Sequence, residues 1–171
     1  LHAPAALARL QRELATQGPT PEPDATAQLP FLEAVCNESM RLRPGVALVS
    51  RKLQMPMRIK DIEFPAGATV GAQVLWAHFN PVVFPEPQQF RPERFLERSY
   101  APVEFMPFGG GIRRCIGAAL AMYQMKLMLA TLLTQFDLAP ANHQPIRYAQ
   151  GAGSLEPMTP IKLLVRSRRA S

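Results

Sequence analysis

Apolar residues recur at helical spacing in several parts of the chain. Residues 4–17 show this period, and residues 29–44 show it between Pro30, which suits a first helical turn, and Pro44, which disfavours helix at the residue before it. Residues 116–136 are apolar on most sides. An apolar stripe runs through that segment at Ile116, Ala119, Leu120, Tyr123, Leu127, Ala130 and Leu133. The pattern predicts two amphipathic helices and one long, largely buried core helix.

Shorter apolar runs lie between and after these helices, separated by turn residues. Residues 64–70 contain Pro65 and Gly67, which suit a turn between short strands. From residue 137 to residue 166 short apolar stretches alternate with turn residues, the pattern that is typical of hairpins. The chain is long enough to form one domain with its own core.

Composition and charge change this picture in two respects. The 171 residues carry a formal net charge of +6, but the basic residues are dispersed, and no motif interleaves them with stacking aromatic residues. Nucleic acid is therefore not an expected partner. Polar residues at positions 124, 126, 131, 134 and 135 interrupt the apolar run that a membrane-spanning helix needs, so no membrane segment is expected in this chain.

A cysteine lies on a glycine-rich turn directly before the long helix. Residues 108–117 read Phe-Gly-Gly-Gly-Ile-Arg-Arg-Cys-Ile-Gly. A sulfur atom at a helix N-terminus meets the positive end of the helix dipole, and Arg113 and Arg114 add positive charge, so the thiolate form of Cys115 is favoured. The consecutive glycines permit positive φ and let the backbone approach a flat ligand. The pattern indicates a thiolate metal ligand, and an anion-binding turn with an inert cysteine is the alternative.

This segment fills every fixed position of the loop Phe-x-x-Gly-x-Arg-x-Cys-x-Gly, and on that ground the chain resembles the cytochrome P450 haem-thiolate monooxygenases. The matching residues are Phe108, Gly111, Arg113, Cys115 and Gly117. The resemblance implies haem b (iron protoporphyrin IX) as the cofactor and Cys115 as the axial ligand of its iron. It also implies that Arg113 pairs with a haem propionate and that Phe108 shields the sulfur. Gly109, Gly111 and Gly117 are expected in the same cofactor-binding loop.

The resemblance also implies a fold class, mainly α with small β-sheets (α+β). Residues 1–171 would form the C-terminal, haem-binding part of a single cytochrome P450 domain. The chain is expected to be truncated relative to that domain, because no helix with the distal acid-alcohol pair of the family precedes residue 29. We therefore expect the isolated chain to be inactive as a monooxygenase.

Two further segments resemble the family. Glu38 and Arg41, three residues apart, lie on one face of the helix predicted over residues 29–44. Residues 90–95 read Phe-Arg-Pro-Glu-Arg-Phe, and they resemble the family segment whose arginine, here Arg94, completes a Glu-Arg-Arg triad. The planar guanidinium fork suits this task because it engages a carboxylate with two hydrogen bonds and stays charged when buried. The expected role of the triad is structural.

The resemblance places a strand with a second propionate-binding arginine at residues 48–52. Arg51 is expected in that role, Lys52 is the competing residue, and a solvated basic pair is the alternative. By the same resemblance, two loops reach the substrate cavity, and ordinary core packing would explain the same residues. The candidates for substrate contact are Ala47, Leu48, Val49, Leu155 and Met158. His78, in the short helix that resembles the family, is expected to be a structural residue.

The function implied by the resemblance is insertion of one oxygen atom from O2 into a small hydrophobic substrate. The electrons would come from a donor such as a ferredoxin or a flavin reductase, which Arg114 would help to attract. A haem-thiolate isomerase or dehydratase, or a non-catalytic haem-binding fragment, are the alternatives. A cytoplasmic location is expected for a bacterial host, and a membrane anchor upstream of residue 1 is the alternative.

Overall fold

A computed structural model gives the structure of the protein and describes residues 3–18, 21–142, 144, 146–150 and 154–169. The helices are α1 (Pro4–Ala15), α2 (Pro23–Ala27), α3 (Pro30–Leu42), α4 (Val74–His78), α5 (Arg94–Glu97) and α6 (Ala118–Gln135). The strands are β1 (Leu48–Lys52), β2 (Met57–Ile59), β3 (Ile62–Phe64), β4 (Thr69–Gln73), β5 (Phe136–Pro140), β6 (Tyr148–Gln150), β7 (Leu155–Pro157) and β8 (Leu163–Arg168). The predicted fold class, mainly α with small β-sheets, is confirmed.

Helices α1, α3 and α6 pack around the main apolar cluster. It contains Leu10, Leu14, Leu29, Phe31, Leu32, Ala34, Val35, Cys36 and Ala130, all of them buried. The start of α3 is held by α1, since the carboxylate of Glu13 accepts the N–H groups of Phe31 and Leu32, each at 2.8 Å. These amides have no partner within their own helix, and a negative charge is favoured at a helix N-terminus. Glu13 therefore fixes where α3 begins.

The described strands form two-stranded antiparallel sheets. β1 pairs with β4, with Leu48 opposite Gln73, and β2 pairs with β3. β5 pairs with β8, and β6 pairs with β7. The turn predicted over residues 64–70 lies between β3 and β4, where Gly67 has a φ of 84°. The strands predicted over residues 48–52 and in the C-terminal segment are also present.

The prediction that the long helix is largely buried is wrong. Among its residues only Ala118, Lys126 and Ala130 are buried, whereas Leu120 is 60% exposed and Met128 is 66% exposed. The face packed against the core runs through Met122, Met125, Leu129, Ala130 and Leu133, so it shares only Ala130 and Leu133 with the predicted stripe. Because apolar side chains lie on most sides of this helix, periodicity does not select the face that packs. The ends of the helix also differ from the predicted residues 116 and 136, since α6 starts at Ala118 and Phe136 already belongs to β5.

Lys126 gives the packing of α6 a polar contact that the hydrophobic pattern does not reveal. Its Nζ donates to the carbonyl oxygen of Ala27 at 2.7 Å and to Oε2 of Glu33 at 2.8 Å. A buried ammonium group is tolerated only with such partners. No helix within the described ranges is long and apolar enough to cross a membrane.

Candidate functional site

Glu38 lies at the centre of a buried ion cluster. Its Oε2 accepts from Nε of Arg41 at 2.7 Å, and its Oε1 accepts from Nη2 of Arg41 at 2.9 Å. Oε1 also accepts from Nε of Arg94 at 3.3 Å and from the main-chain N–H of Arg91 at 2.8 Å. The structure therefore brings the predicted triad of Glu38, Arg41 and Arg94 together. All three side chains are at most 2% exposed.

The remaining guanidinium donors bind main-chain carbonyls at the end of α4 and in the irregular segment that follows it. Arg41 donates to the carbonyl oxygens of His78 at 2.8 Å and Gln89 at 3.2 Å, and Arg94 donates to that of Pro85 at 3.0 Å. Burial of ions costs several kcal/mol each, so such a cluster is weak evidence for net stability. Its hydrogen bonds connect α3 to the end of α4, to the segment between α4 and α5, and to α5 itself.

Phe79 and Asn80, which directly follow α4, both make local contacts. Oδ1 of Asn80 accepts the N–H of Val82 at 3.0 Å, which forms an Asx turn. The guanidinium carbon of Arg41 lies 5.6 Å from the centre of the Phe79 ring and 5.2 Å from that of Phe84. The aromatic rings thus cover the buried cation, at distances where cation–π attraction acts.

His78 is fully buried and both of its ring nitrogens have partners. Nδ1 lies 3.3 Å from the carbonyl oxygen of Arg41, and the N–H of Met106 donates to Nε2 at 3.0 Å. The pKa of His78 is lowered from 6.5 to about 4, mainly by burial and to a smaller extent by the charge of Arg41, while the hydrogen bond to the Arg41 carbonyl opposes the shift. The structural role expected from the sequence agrees with this geometry.

The loop before α6 folds back on itself so that Cys115 faces solvent. The N–H of Cys115 donates to the carbonyl oxygen of Phe108 at 3.0 Å, and that of Gly109 donates to Met106 at 3.0 Å. Gly109 and Gly111 have φ values of 71° and 65°, which other residues avoid. These two positions therefore require glycine for the turn to close.

The Cys115 sulfur lies close to the start of α6. The thiol is free and the residue is exposed. A Cβ atom built on Gly117, the N-cap of α6, would lie 3.9 Å from Sγ. Ile116 and Gly117 separate Cys115 from Ala118, so the cysteine lies before the helix as predicted, but the helix begins two residues later than the predicted Ile116. The sulfur thus lies beside the N-cap of α6, near the positive end of the helix dipole.

A cleft of about 510 Å³ opens beside this sulfur. It is lined by Met40, Gly45, Val46, Val49, Arg51, Val74, Met106, Pro107, Phe108, Gly109, Arg113, Cys115, Ala121 and Met125. The lining combines one thiol, apolar side chains and two arginines. Arg51 and Arg113, predicted from separate segments, thus face one space with Cys115. Lys52, the competitor of Arg51, is not among the lining residues, whereas Gly111 lines an adjoining cleft with Arg51.

The predicted substrate contacts are not all brought to this cleft. Val49 lines it, whereas Ala47 is buried with its carbonyl oxygen accepting from the N–H of Val74 at 2.8 Å. Leu48 lies on β1 and is 37% exposed. Leu155 is tied to the segment before β1, because its N–H donates to the carbonyl oxygen of Gly45 at 3.0 Å. Met158 is exposed just after β7.

Comparison with known proteins identifies the family of this chain. A family model described as Cytochrome P450 matches residues 1–165. The chain belongs to the cytochrome P450 family. Cytochrome P450 3A29 of Sus scrofa is 34% identical over 172 residues, which cover 95% of this chain and 34% of the pig protein. Cytochrome P450 3A19 of Capra hircus aegagrus is 33% identical over 169 residues, or 94% of this chain and 77% of the goat sequence.

Solved cytochrome P450 structures share the fold. The cytochrome P450DA heme domain superimposes with a TM-score of 0.88 at 24% identity, over 98% of this chain and 38% of that one. The retinoic acid bound cyanobacterial CYP120A1 gives a TM-score of 0.85 at 28% identity, over 96% of this chain and 39% of that one. The chain therefore spans about a third of the length of the pig cytochrome P450 and somewhat more of these two. The family implies a haem cofactor and the class of haem-thiolate oxidoreductases.

Proposed function

We propose that the protein to which this chain belongs is a haem-thiolate monooxygenase, which inserts one oxygen atom from O2 into a hydrophobic organic substrate. The observation that carries the proposal is the cleft in which Cys115 faces the same space as Arg51 and Arg113. A thiol suits iron, apolar side chains suit the faces of a porphyrin, and arginines suit its propionates. The residues present thus fit haem, and protoporphyrin IX is the form that we propose.

Each residue of the cleft has a role in this proposal. The Cys115 sulfur would bind the iron as a thiolate. Arg51 and Arg113 would pair with the propionates, and a charge-assisted hydrogen bond of this kind contributes about 1.5–3 kcal/mol. Met40 and Met125 would contact the porphyrin from α3 and α6, and Phe108 would cover the sulfur. Bound haem supplies the iron at which O2 is reduced, and a thiolate ligand favours cleavage of the O–O bond.

The residues of this chain hold that site in place. The hydrogen bond from the Cys115 N–H to the carbonyl oxygen of Phe108 closes the loop. Gly109 and Gly111 adopt positive φ, a conformation that would be strained for any residue with a Cβ atom. The ion cluster around Glu38 fixes the segment that leads to the loop. We propose that this cluster acts in folding only, because its side chains are buried and are not among the cleft residues.

The apolar side chains of the same cleft also support a hydrophobic substrate. Val46, Val49 and Val74 all line it. Leu155 is tied to Gly45, so the β6–β7 hairpin lies next to the segment that supplies Val46 and Val49. We propose that these two segments contribute one wall of the substrate site. The 171 residues supply only that wall, and oxygen activation needs an enclosed site with controlled water, so turnover is expected only from the intact protein.

We propose that an acidic electron donor docks on the face around Arg114. Arg113 and Arg114 are exposed beside Cys115, and the chain carries a net charge of +6. Opposite charges steer such encounters, and salt weakens the steering. A ferredoxin or a flavin reductase domain is a donor of this kind.

The test is incorporation of heavy-isotope oxygen into an apolar substrate by the intact protein. With O2 labelled and water unlabelled, and with an added reductase as electron source, mass spectrometry should find one labelled oxygen atom in the product. Product that forms without electrons or O2 would overturn the monooxygenase proposal and indicate an isomerase or dehydratase.

A further inference from the structure

His78 connects two parts of the molecule that are distant in sequence. The residue ends α4, and its ring lies between the carbonyl oxygen of Arg41 on α3 and the main-chain N–H of Met106. Met106 stands at the base of the Cys115 loop, because its own carbonyl oxygen accepts from Gly109. Met106 also lines the cleft. One imidazole ring therefore joins α3 to the base of the loop that carries the proposed iron ligand.

These contacts define the protonation state of the ring. The N–H of Met106 can only donate, so Nε2 must present a lone pair. The proton of a neutral imidazole then resides on Nδ1, where the carbonyl oxygen of Arg41 accepts it. The low pKa of about 4 agrees with this neutral state. An imidazolium ion would have no acceptor for the Met106 amide.

The surroundings of the ring favour the same state. Phe105 lies with its ring centre 5.2 Å from that of His78, and Phe84 packs edge-on at 6.3 Å. Arg41 is the charged group that acts on the ring, and it belongs to the cluster with Glu38 and Arg94. A positive charge on a protonated His78 would be repelled by the buried guanidinium group of Arg41.

We propose that His78 is a positioning residue for the Cys115 loop. As a neutral acceptor it holds the Met106 amide against α3, and so sets where the segment from Phe108 to Cys115 stands beside the cleft. The proposal rests on the proposed function, because the task of the loop there is to present a sulfur to iron. Simple filling of space by a planar ring is the competing explanation.

A matched pair of variants separates these explanations in the intact, haem-loaded protein. His78→Gln keeps a neutral acceptor on a side chain of similar length. His78→Asn keeps a donor near the position of Nδ1, but it is too short to accept from Met106. In His78→Asn we expect faster amide exchange at Met106 and faster haem release to excess apomyoglobin, each by roughly tenfold or more, since a buried amide has lost its partner. In His78→Gln both rates should return to within about threefold of the unsubstituted protein.

The unsubstituted protein provides a further measurement if either variant fails to fold. Exchange at Met106, relative to that at Ala130 in α6, should accelerate as the pH falls toward about 4 and His78 takes up a proton. A relative exchange rate at Met106 that does not change with pH would overturn the proposal. Equal effects of His78→Asn and His78→Gln, or unchanged haem release in His78→Asn, would also overturn it. If the unsubstituted protein binds no haem, the proposed function fails, while the exchange at Met106 still tests the contact itself.

Discussion

Glu38 and Arg94 are 56 positions apart in the sequence, yet Oε1 of Glu38 lies 3.3 Å from Nε of Arg94. Arg41 engages the same carboxylate with two hydrogen bonds. One buried negative charge therefore serves two buried guanidinium groups. This contact joins α3 to the segment that leads to the Cys115 loop, so its loss is expected to affect the fold as a whole.

Replacing Glu38 by glutamine should lower the free energy of unfolding by about 3–5 kcal/mol, because it leaves two buried cations without their counter-ion. Urea unfolding of the intact protein measures the loss. Glu97→Gln is the matched control, since Glu97 pairs with Arg91 at the surface and the pair contributes about 1 kcal/mol or less. Equal losses in the two variants would contradict the role given to the cluster.

Lys126→Met should destabilise the protein by about 1–3 kcal/mol, because the buried carbonyl oxygen of Ala27 loses its donor. Glu33→Gln removes the other partner of Lys126, but the Glu33 side chain is 52% exposed, so the expected loss is about 1 kcal/mol or less. Thermal unfolding of both variants shows which of them loses more stability. A larger effect of Glu33→Gln would show that the ion pair outweighs the bond to Ala27.

Arg51→Gln and Arg113→Gln should each weaken haem retention by roughly tenfold or more, since each removes a charge-assisted hydrogen bond to a propionate. Lys52→Gln, next to Arg51 on β1 but outside the cleft, is the control and should retain haem normally. The rate of haem transfer to apomyoglobin gives the measurement. A stronger effect of Lys52→Gln would reassign the propionate contact to Lys52.

Cys115 should react with iodoacetamide in the haem-free protein, whereas Cys36 should not. Cys115 is exposed, while Cys36 is buried and desolvation raises its pKa to about 11, so its thiol stays protonated below that pH. Mass spectrometry after native labelling at neutral pH should find one labelled cysteine. Bound haem should protect Cys115 from this labelling. Labelling of Cys36 under native conditions would show that the core around α3 opens.

Local patterns in the sequence were sufficient to predict several elements. The helix that carries Glu38 and Arg41 runs from Pro30 to Leu42 as the prolines indicate, because proline acts on its own neighbours. The motif around Cys115 shows the family through residues that lie within one loop. The family resemblance was needed to associate Arg94 and Arg51 with these segments, since no local rule connects them.

Tertiary contacts outside the segments that resemble the family could not be predicted. Glu13 caps α3 from another helix, and His78 accepts from Met106 across 28 positions, so neither contact leaves a local signal. The packed face of α6 was predicted only in part, at Ala130 and Leu133, because apolar residues lie on most sides of the helix. Lys126 interrupts that pattern, and a charged residue on an apolar helix was the one signal available for its buried contact with Ala27.

Ligation of haem iron by the Cys115 sulfur is the central claim, and the absorption spectrum of the reduced, CO-bound intact protein tests it most directly. The unsubstituted protein should show the strongly red-shifted Soret band of thiolate ligation, and Cys115→Ser should lose that band. A serine variant whose red-shifted band is unchanged would contradict the assignment of Cys115 as the ligand.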